Sequence, residues 1–221
     1  MILRAPGTNC DHETAHAFER AGAIARRVHV RALTQKPALA DDFQILCIPG
    51  GFSYGDDIAS GRIFALELKS RLADSLAKFR DRGGLILGIC NGFQVLTEMG
   101  LLPGALTRNR DLHFLCQSSE LEVRPGACRW LAAYGADERI SLPIAHGEGR
   151  YQVEPQELQR LEDQGCVVLR YVANPNGSRG DVAGLTDPTG RVLGLMPHPE
   201  RACDPITGGL DGRRLLASLL G

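Results

Sequence analysis

The stretch Leu85-Ile86-Leu87-Gly88-Ile89-Cys90-Asn91-Gly92-Phe93-Gln94-Val95-Leu96 decides the fold. An apolar run ends at a glycine, a cysteine follows, a second glycine comes two residues later, and apolar residues then recur at helical spacing. This pattern predicts a buried strand breaking sharply into a helix, with Cys90 at the corner. Gly88-x-Cys90-x-Gly92 is the thiol form of the nucleophile elbow, in which small neighbours permit a tight turn that pushes the nucleophile out of the sheet. A cysteine at a helix N-terminus also meets free N–H groups and the positive end of the dipole, both of which favour thiolate. The competing reading is a buried, inert cysteine packed in a strand-to-helix turn.

Upstream of the elbow, strands and helices alternate. Ile2 to Ala5 reads as a short strand, followed by the turn Pro6-Gly7-Thr8-Asn9. A helix through Ala15, Phe18 and Ala21 is expected next, capped by Asn9 or Asp11 and stopped at Gly22. Strands are expected over Ile24–Val30 and Phe43–Ile48, the latter apolar on both faces, as a parallel strand covered by helices should be. It runs into the glycine-rich loop Pro49-Gly50-Gly51-Phe52-Ser53-Tyr54-Gly55-Asp56-Asp57, too long for a simple turn. A helix from about Arg62 to Arg82 ends at Gly83-Gly84. Such alternation predicts an α/β fold with a doubly wound, mostly parallel sheet flanked by helices, whose ligands gather at the carboxyl ends of the strands.

After Gly100 the rhythm changes. Short strand-like pieces at His113–Cys116, Glu120–Arg124 and Ile140–Ala145 suggest a small antiparallel patch over roughly residues 101–150, beside the main sheet. Alternation resumes with a helix near Gln156–Gln164, strands at Val167–Val172, Val182–Thr186 and Val192–Met196, and a last helix over Leu210–Leu219.

That final strand leads into Met196-Pro197-His198-Pro199-Glu200. Each proline pushes the residue before it to extended geometry. In an extended chain, residues two apart share a face and lie roughly 6.5–7 Å apart along it. Glu200 would then bond one nitrogen of His198 and leave the other free as a base, which is the pair a nucleophilic thiol requires. Alone, this tripeptide would fit an exposed turn equally well. Joined to an elbow cysteine about a hundred residues upstream, it gains weight, because both signals fall at the ends of predicted parallel strands.

Composition narrows the classes. The chain has 221 residues, 43% of them hydrophobic, with a formal net charge of −1, which gives no electrostatic case for nucleic acid or an anionic membrane as partner. No membrane-spanning run and no signal-peptide pattern is found, and the odd, scattered set of cysteines points to a reducing cytosol, so a cytoplasmic location is expected. Seven cysteines without a C-x-x-C pair argue against a disulfide framework or a zinc knuckle. No P-loop is present. His12-Glu13-Thr14-Ala15-His16 fits the zinc-protease spacing, but it opens a helix straight after Pro-Gly and has no obvious third ligand, so no metal is expected. Asp56-Asp57 reads as solvated loop charge. The cysteines other than Cys90 read as structural, with Cys10 open to exposure in its loop.

Gly88-Ile89-Cys90-Asn91-Gly92-Phe93-Gln94 together with His198-Pro199-Glu200 resembles the class I, triad-type glutamine amidotransferases, whose fold is flavodoxin-like. Asn91-Gly92-Phe93-Gln94 narrows the resemblance to the glutaminase subunits of phosphoribosylformylglycinamidine synthases of purine biosynthesis. Pro6-Gly7-Thr8-Asn9-Cys10-Asp11, Pro49–Asp56, Ala145-His146-Gly147-Glu148-Gly149 and Asn174-Pro175-Asn176-Gly177-Ser178 agree with it. The likeness covers essentially the whole chain, so residues 1–221 are expected to form one amidotransferase domain. One departure is a first strand a few residues shorter than the family's, which questions the start site rather than the chemistry.

The resemblance implies that Cys90 attacks glutamine, that His198 shuttles protons and that Glu200 orients it. It further implies an oxyanion hole from the backbone N–H groups of Gly51 and Asn91, and substrate contacts at Gly50, Gln94 and His146. Glutamate and ammonia would be the products. ATP and magnesium would be used not by this chain, which needs no cofactor, but by a large synthetase subunit, with a small bridging subunit as a further partner. Two rivals are an elbow-cysteine hydrolase or redox-responsive protein of related fold, and a non-catalytic partner-binding module.

Overall fold

The computed structural model describes residues 1–56, 59–126, 128–206 and 208–219. Strands β1 (Ile2–Arg4), β2 (Arg27–His29), β3 (Ile45–Ile48), β4 (Leu85–Ile89) and β11 (Val192–Leu195) form its parallel core. Among the described residues one nine-stranded sheet runs β2-β1-β3-β4-β11-β10-β9-β6-β7, where β6 is Leu115–Val123, β7 Arg139–His146, β9 Val167–Tyr171 and β10 Val182–Thr186. From β11 outward through β10, β9, β6 and β7 the pairing is antiparallel. The antiparallel region therefore extends past residue 150 and continues the main sheet instead of lying beside it. A separate two-stranded ribbon joins β5 (Ala105–Thr107) to β8 (Arg150–Gln152).

Strands β3, β4 and β11 are almost wholly buried and apolar, as central strands covered on both faces must be. Their covering helices include α1 (Asp11–Ala21), α3 (Arg62–Asp81) and α4 (Asn91–Met99). Helix α3 turns Phe64, Leu68, Leu72, Leu76 and Phe79 inward, a stripe at helical spacing, and Arg82 caps it. Helices α2 (Val30–Gln35), α5 (Pro155–Asp163) and α6 (Asp211–Ala217) complete the set.

Several elements depart from the sequence expectation. The strand expected over Ile24–Val30 is only β2, because His29 ends it by accepting a hydrogen bond from Arg31 N–H at 3.2 Å and so capping α2. Helix α1 has Cys10 as its cap residue with no side-chain cap bond, so neither Asn9 nor Asp11 caps it; Asp11 instead pairs with Arg27 at 3.1 Å. Cys10 is buried and Cys116 is exposed, the reverse of what loop placement suggested for Cys10. No helix of the described residues is long and apolar enough to cross a membrane.

Candidate active site

Cys90 stands between β4 and α4 with φ 50° and ψ −105°, a conformation costly for any residue with a Cβ. The close approach that permits it falls at Gly92. A Cβ built there would lie 1.9 Å from the carbonyl oxygen of Ile48, so only glycine lets α4 seat against the end of β3. The cysteine N–H donates to Leu195 O at 2.8 Å and ties the elbow to β11. The Cys90 thiol lies 3.8 Å from the carbonyl oxygen of Ala145 on β7.

β11 and the chain after it deliver the second group. His198 N–H donates to Pro143 O at 2.8 Å, and its Nδ1 lies 2.6 Å from Glu200 Oε1. The side chains of both are essentially inaccessible, at 2% and 0% exposure. They do not meet through extended chain as the prolines implied. Pro199–Arg201 forms a 3₁₀ turn, and its tightness brings residue 200 back to the ring of residue 198. The other ring nitrogen, Nε2, has no hydrogen-bond partner among the described residues. Burial alone would lower the basicity of this imidazole, but the charge of Glu200, the neighbouring Cys90 and the hydrogen bond to Glu200 outweigh it and raise the pKa. The protonated imidazole that results when His198 takes a proton beside Glu200 is thereby favoured.

The thiol opens into a cavity of about 210 Å³, lined among others by Gly51, Phe52, Asp56, Gln94, Phe114, His146, Glu148 and His198. That volume lies below the range of drug-sized ligand sites and suits an amino acid. Gly51 has φ 139°, reserved for glycine, and forms an antiparallel bridge with Thr8. Asn91 is the first residue of α4, and the helical pattern leaves its N–H without an intrahelical partner. Gly50 sits behind the imidazole: a Cβ there would be 2.9 Å from His198 Cε1 and 3.2 Å from Cys10 Sγ. Gln94 uses both ends of its amide inside the protein, accepting from Asn91 Nδ2 at 2.9 Å and donating to the carbonyl of Glu148 at 2.6 Å. His146 is buried, with Nδ1 3.1 Å from Asn109 Oδ1; burial and the charge of His198 lower its pKa to about 4.

Cys10, Glu13, His198 and Glu200 offer donor atoms within 4.8 Å of one another, a set that could hold a metal ion. The Arg201 guanidinium already occupies that corner, 2.9 Å from Glu13 and 3.4 Å from Cys10 Sγ, and supplies the positive charge. His12 and His16 of the H-E-x-x-H spacing are exposed on α1, His12 with its Nε2 against the Arg27 guanidinium. Asp57 lies outside the described residues. Asp56, expected as solvated charge, instead accepts from Gly61 N–H at 3.0 Å and Asn91 Nδ2 at 3.2 Å. An acidic residue inside a glycine-rich loop was the one sequence signal that could have marked it.

An elbow thiol backed by a buried imidazole–carboxylate pair defines a class of enzyme that attacks carbonyl carbon through sulfur. The CobB/CobQ-like glutamine amidotransferase domain matches residues 1–210, and the chain belongs to that family. Among curated relatives, phosphoribosylformylglycinamidine synthase subunit PurQ of Parasynechococcus marenigrum is 52% identical, over 99% of this chain and 98% of its own. The protein of the same description from Cereibacter sphaeroides is 44% identical, over 100% of this chain and 96% of its own. Among solved structures, PurLQS from Thermotoga maritima superposes with a TM-score of 0.87 at 41% identity, over 99% of this chain and 95% of that one.

Proposed function

We propose that this chain is the glutaminase of a phosphoribosylformylglycinamidine synthase. Cys90 hydrolyses glutamine, and the ammonia passes to a synthetase subunit that converts formylglycinamide ribonucleotide to formylglycinamidine ribonucleotide in purine biosynthesis. The observation that carries the chemistry is the His198–Glu200 pair buried behind an elbow thiol. Full-length likeness to proteins described as PurQ, and to a chain within a complex described as PurLQS, supports the pathway and the partners: a large synthetase and a small third subunit. ATP and magnesium belong to the synthetase in this reading, and the complex works in the cytoplasm.

The steps follow from the residues. His198 takes the Cys90 proton, and the sulfur adds to the side-chain carbonyl carbon of glutamine. The resulting oxyanion lies between the N–H groups of Gly51 and Asn91, each such donor being worth about 3–4 kcal/mol in the transition state. Collapse breaks the C–N bond, and the imidazolium gives its proton to the departing nitrogen, releasing ammonia. Water then adds to the thioester with His198 as base, which frees glutamate and restores the thiol. Glu200 keeps the imidazole oriented and stabilises its charged form throughout.

The test uses the reconstituted complex. In Cys90→Ala, glutamine-dependent synthesis should vanish while synthesis from added ammonia survives. Loss of both activities together would overturn the proposed division of labour. Mass spectrometry after treatment with a glutamine affinity label should place the adduct on Cys90; labelling at Cys10 instead would refute the assignment.

A further inference from the structure

The loop between β3 and α3 carries unusual backbone. Tyr54, Gly55 and Asp56 have φ of 57°, 74° and 52° in succession, two of them with side chains. Left-handed residues in series persist only where surrounding contacts over-determine them. On one side the loop is pinned to the chain after β1: Phe52 N–H donates to Gly7 O at 3.1 Å and Tyr54 N–H to Pro6 O at 2.7 Å. On the other side a single relay of polar side chains holds it to the elbow.

That relay has one possible direction. Asp56 Oδ1 accepts from Asn91 Nδ2 at 3.2 Å, and the same Nδ2 donates to Gln94 Oε1 at 2.9 Å. With both protons of its nitrogen placed, Asn91 turns Oδ1 to the loop, where it accepts from Ser53 N–H at 3.2 Å. Gln94 Nε2 closes the chain on the Glu148 carbonyl. Asn91 is 2% exposed and Gln94 5%, so water cannot substitute cheaply for a missing partner. One end of the relay therefore lies two residues from Gly51 and another is the side chain of Asn91. These are the two residues whose N–H groups would face the oxyanion.

We infer that Asp56 is a positioning residue for the amide-cleaving step: through the Asn91 side chain it sets the spacing of the two oxyanion donors. Its carboxylate touches neither the thiol nor the imidazole. With Ser53 N–H it gives the Asn91 amide two grips on the loop, and that amide stitches the Gly51 loop to the start of α4. Without this anchor the Asn91 amide keeps its orientation through Gln94 and Ser53 N–H, but one of the ties that hold the loop at its distance from α4 is gone, and the loop can shift away from the elbow. The inference rests on the glutaminase reading above and adds to it a residue that governs transition-state rather than ground-state binding.

The experiment compares Asp56→Ala, Asp56→Asn and Cys90→Ala in the full complex. Since a donor displaced by about 1 Å can cost about 100-fold, Asp56→Ala should lower the glutamine-dependent kcat by about 10- to 100-fold and leave KM for glutamine nearly unchanged. Asp56→Asn keeps an acceptor oxygen, though without charge assistance, and should recover most of the rate, to within about tenfold. Alkylation of Cys90 by iodoacetamide, which needs no oxyanion hole, should proceed at the wild-type rate in both variants. A rise in KM with kcat intact would overturn the inference and make Asp56 a ligand of the substrate. Wild-type kcat in Asp56→Ala, or equal loss in Asn and Ala variants, would also overturn it. If Cys90→Ala itself kept glutamine-dependent activity, the glutaminase reading would fall first.

Discussion

Glu200 Oε1 lies 2.6 Å from His198 Nδ1, and the two side chains are sealed from solvent together. Glu200 Oε2 has no hydrogen-bond partner among the described residues, so the carboxylate's charge is compensated chiefly by the imidazole it faces. Glu200→Gln would preserve the shape and an acceptor oxygen while removing that charge. The imidazolium then loses its support, and the thiolate–imidazolium pair becomes harder to form. Glutamine-dependent kcat should fall by about 100- to 10,000-fold, in line with loss of the charged third member of other triads. The pKa of His198, held up in the wild type by the charge of Glu200, should move downward in the variant, as NMR titration of its imidazole would show. An unchanged midpoint would mean that Glu200 acts only as a spacer.

The elbow makes a prediction about stability that runs against activity. Cys90 sits at φ 50° and ψ −105°, a region open to glycine and strained for residues with a Cβ. Such strain is worth about 1–3 kcal/mol, and glycine's greater unfolded-state freedom gives back about 0.4–1 kcal/mol. Cys90→Gly should therefore be more stable than Cys90→Ala by about 1–2 kcal/mol, while both are inactive with glutamine. Urea denaturation of the two variants measures the difference directly. An alanine variant as stable as the glycine variant would show that the elbow stores no strain.

Gly92 tests the packing behind the elbow. Replacing a helical glycine by alanine ordinarily gains about 1 kcal/mol of helix propensity. Here the added methyl would meet the Ile48 carbonyl oxygen at 1.9 Å, a backbone atom that cannot rotate away. Overpacking of this kind costs about 1–3 kcal/mol or more and should win. The expected result for Gly92→Ala is a melting temperature lower by about 3–10 °C. Glutaminase activity should fall with it, since α4 carries the Asn91 N–H. A variant of raised melting temperature would contradict the close seating of α4 on β3.

The strand, elbow and helix around Cys90 were legible because glycine spacing and apolar periodicity are local signals, and both survive into the structure. A mostly parallel sheet was legible from the alternation of strands and helices, though the order in which β1, β3, β4 and β11 lie was not. What escaped the sequence depends on partners far along the chain. His29 ends β2 through a side-chain cap that competes with strand pairing. His198 and Glu200 were paired correctly in space but by the wrong backbone, since prolines that disfavour helix still admit a 3₁₀ turn with Pro199 at its start. Asp56 looked like surface charge because its partner, Asn91, comes 35 residues later. Arg201 likewise gave no hint that it would cross to Glu13 and Cys10, near the other end of the chain.

His146 supplies a pH dependence with a definite sign. Asn109 Nδ2 donates to the carbonyls of His113 and His146, each at 2.8 Å, so its Oδ1 is the acceptor, and it also takes Gly149 N–H at 3.1 Å. The ring proton of His146 therefore sits on Nδ1, and a second proton would have to enter at Nε2, which is buried without a partner among the described residues. Burial and the neighbouring charge of His198 accordingly hold the folded-state pKa near 4, below the ordinary 6.5. Between those values the unfolded chain binds a proton that the native chain does not, so stability falls as pH drops from 6.5 toward 4. The slope from this one group approaches about 1.4 kcal/mol per pH unit. His198 has the opposite shift: its contribution is complete below 6.5 and is lost as pH rises from there through its raised pKa. Chemical denaturation of wild type and His146→Gln between pH 5 and 6.5 should show a shallower slope in the variant. NMR titration of the wild-type imidazole should give a midpoint below 5. A midpoint near 6.5, or parallel slopes in the two proteins, would show that His146 is not enclosed as described.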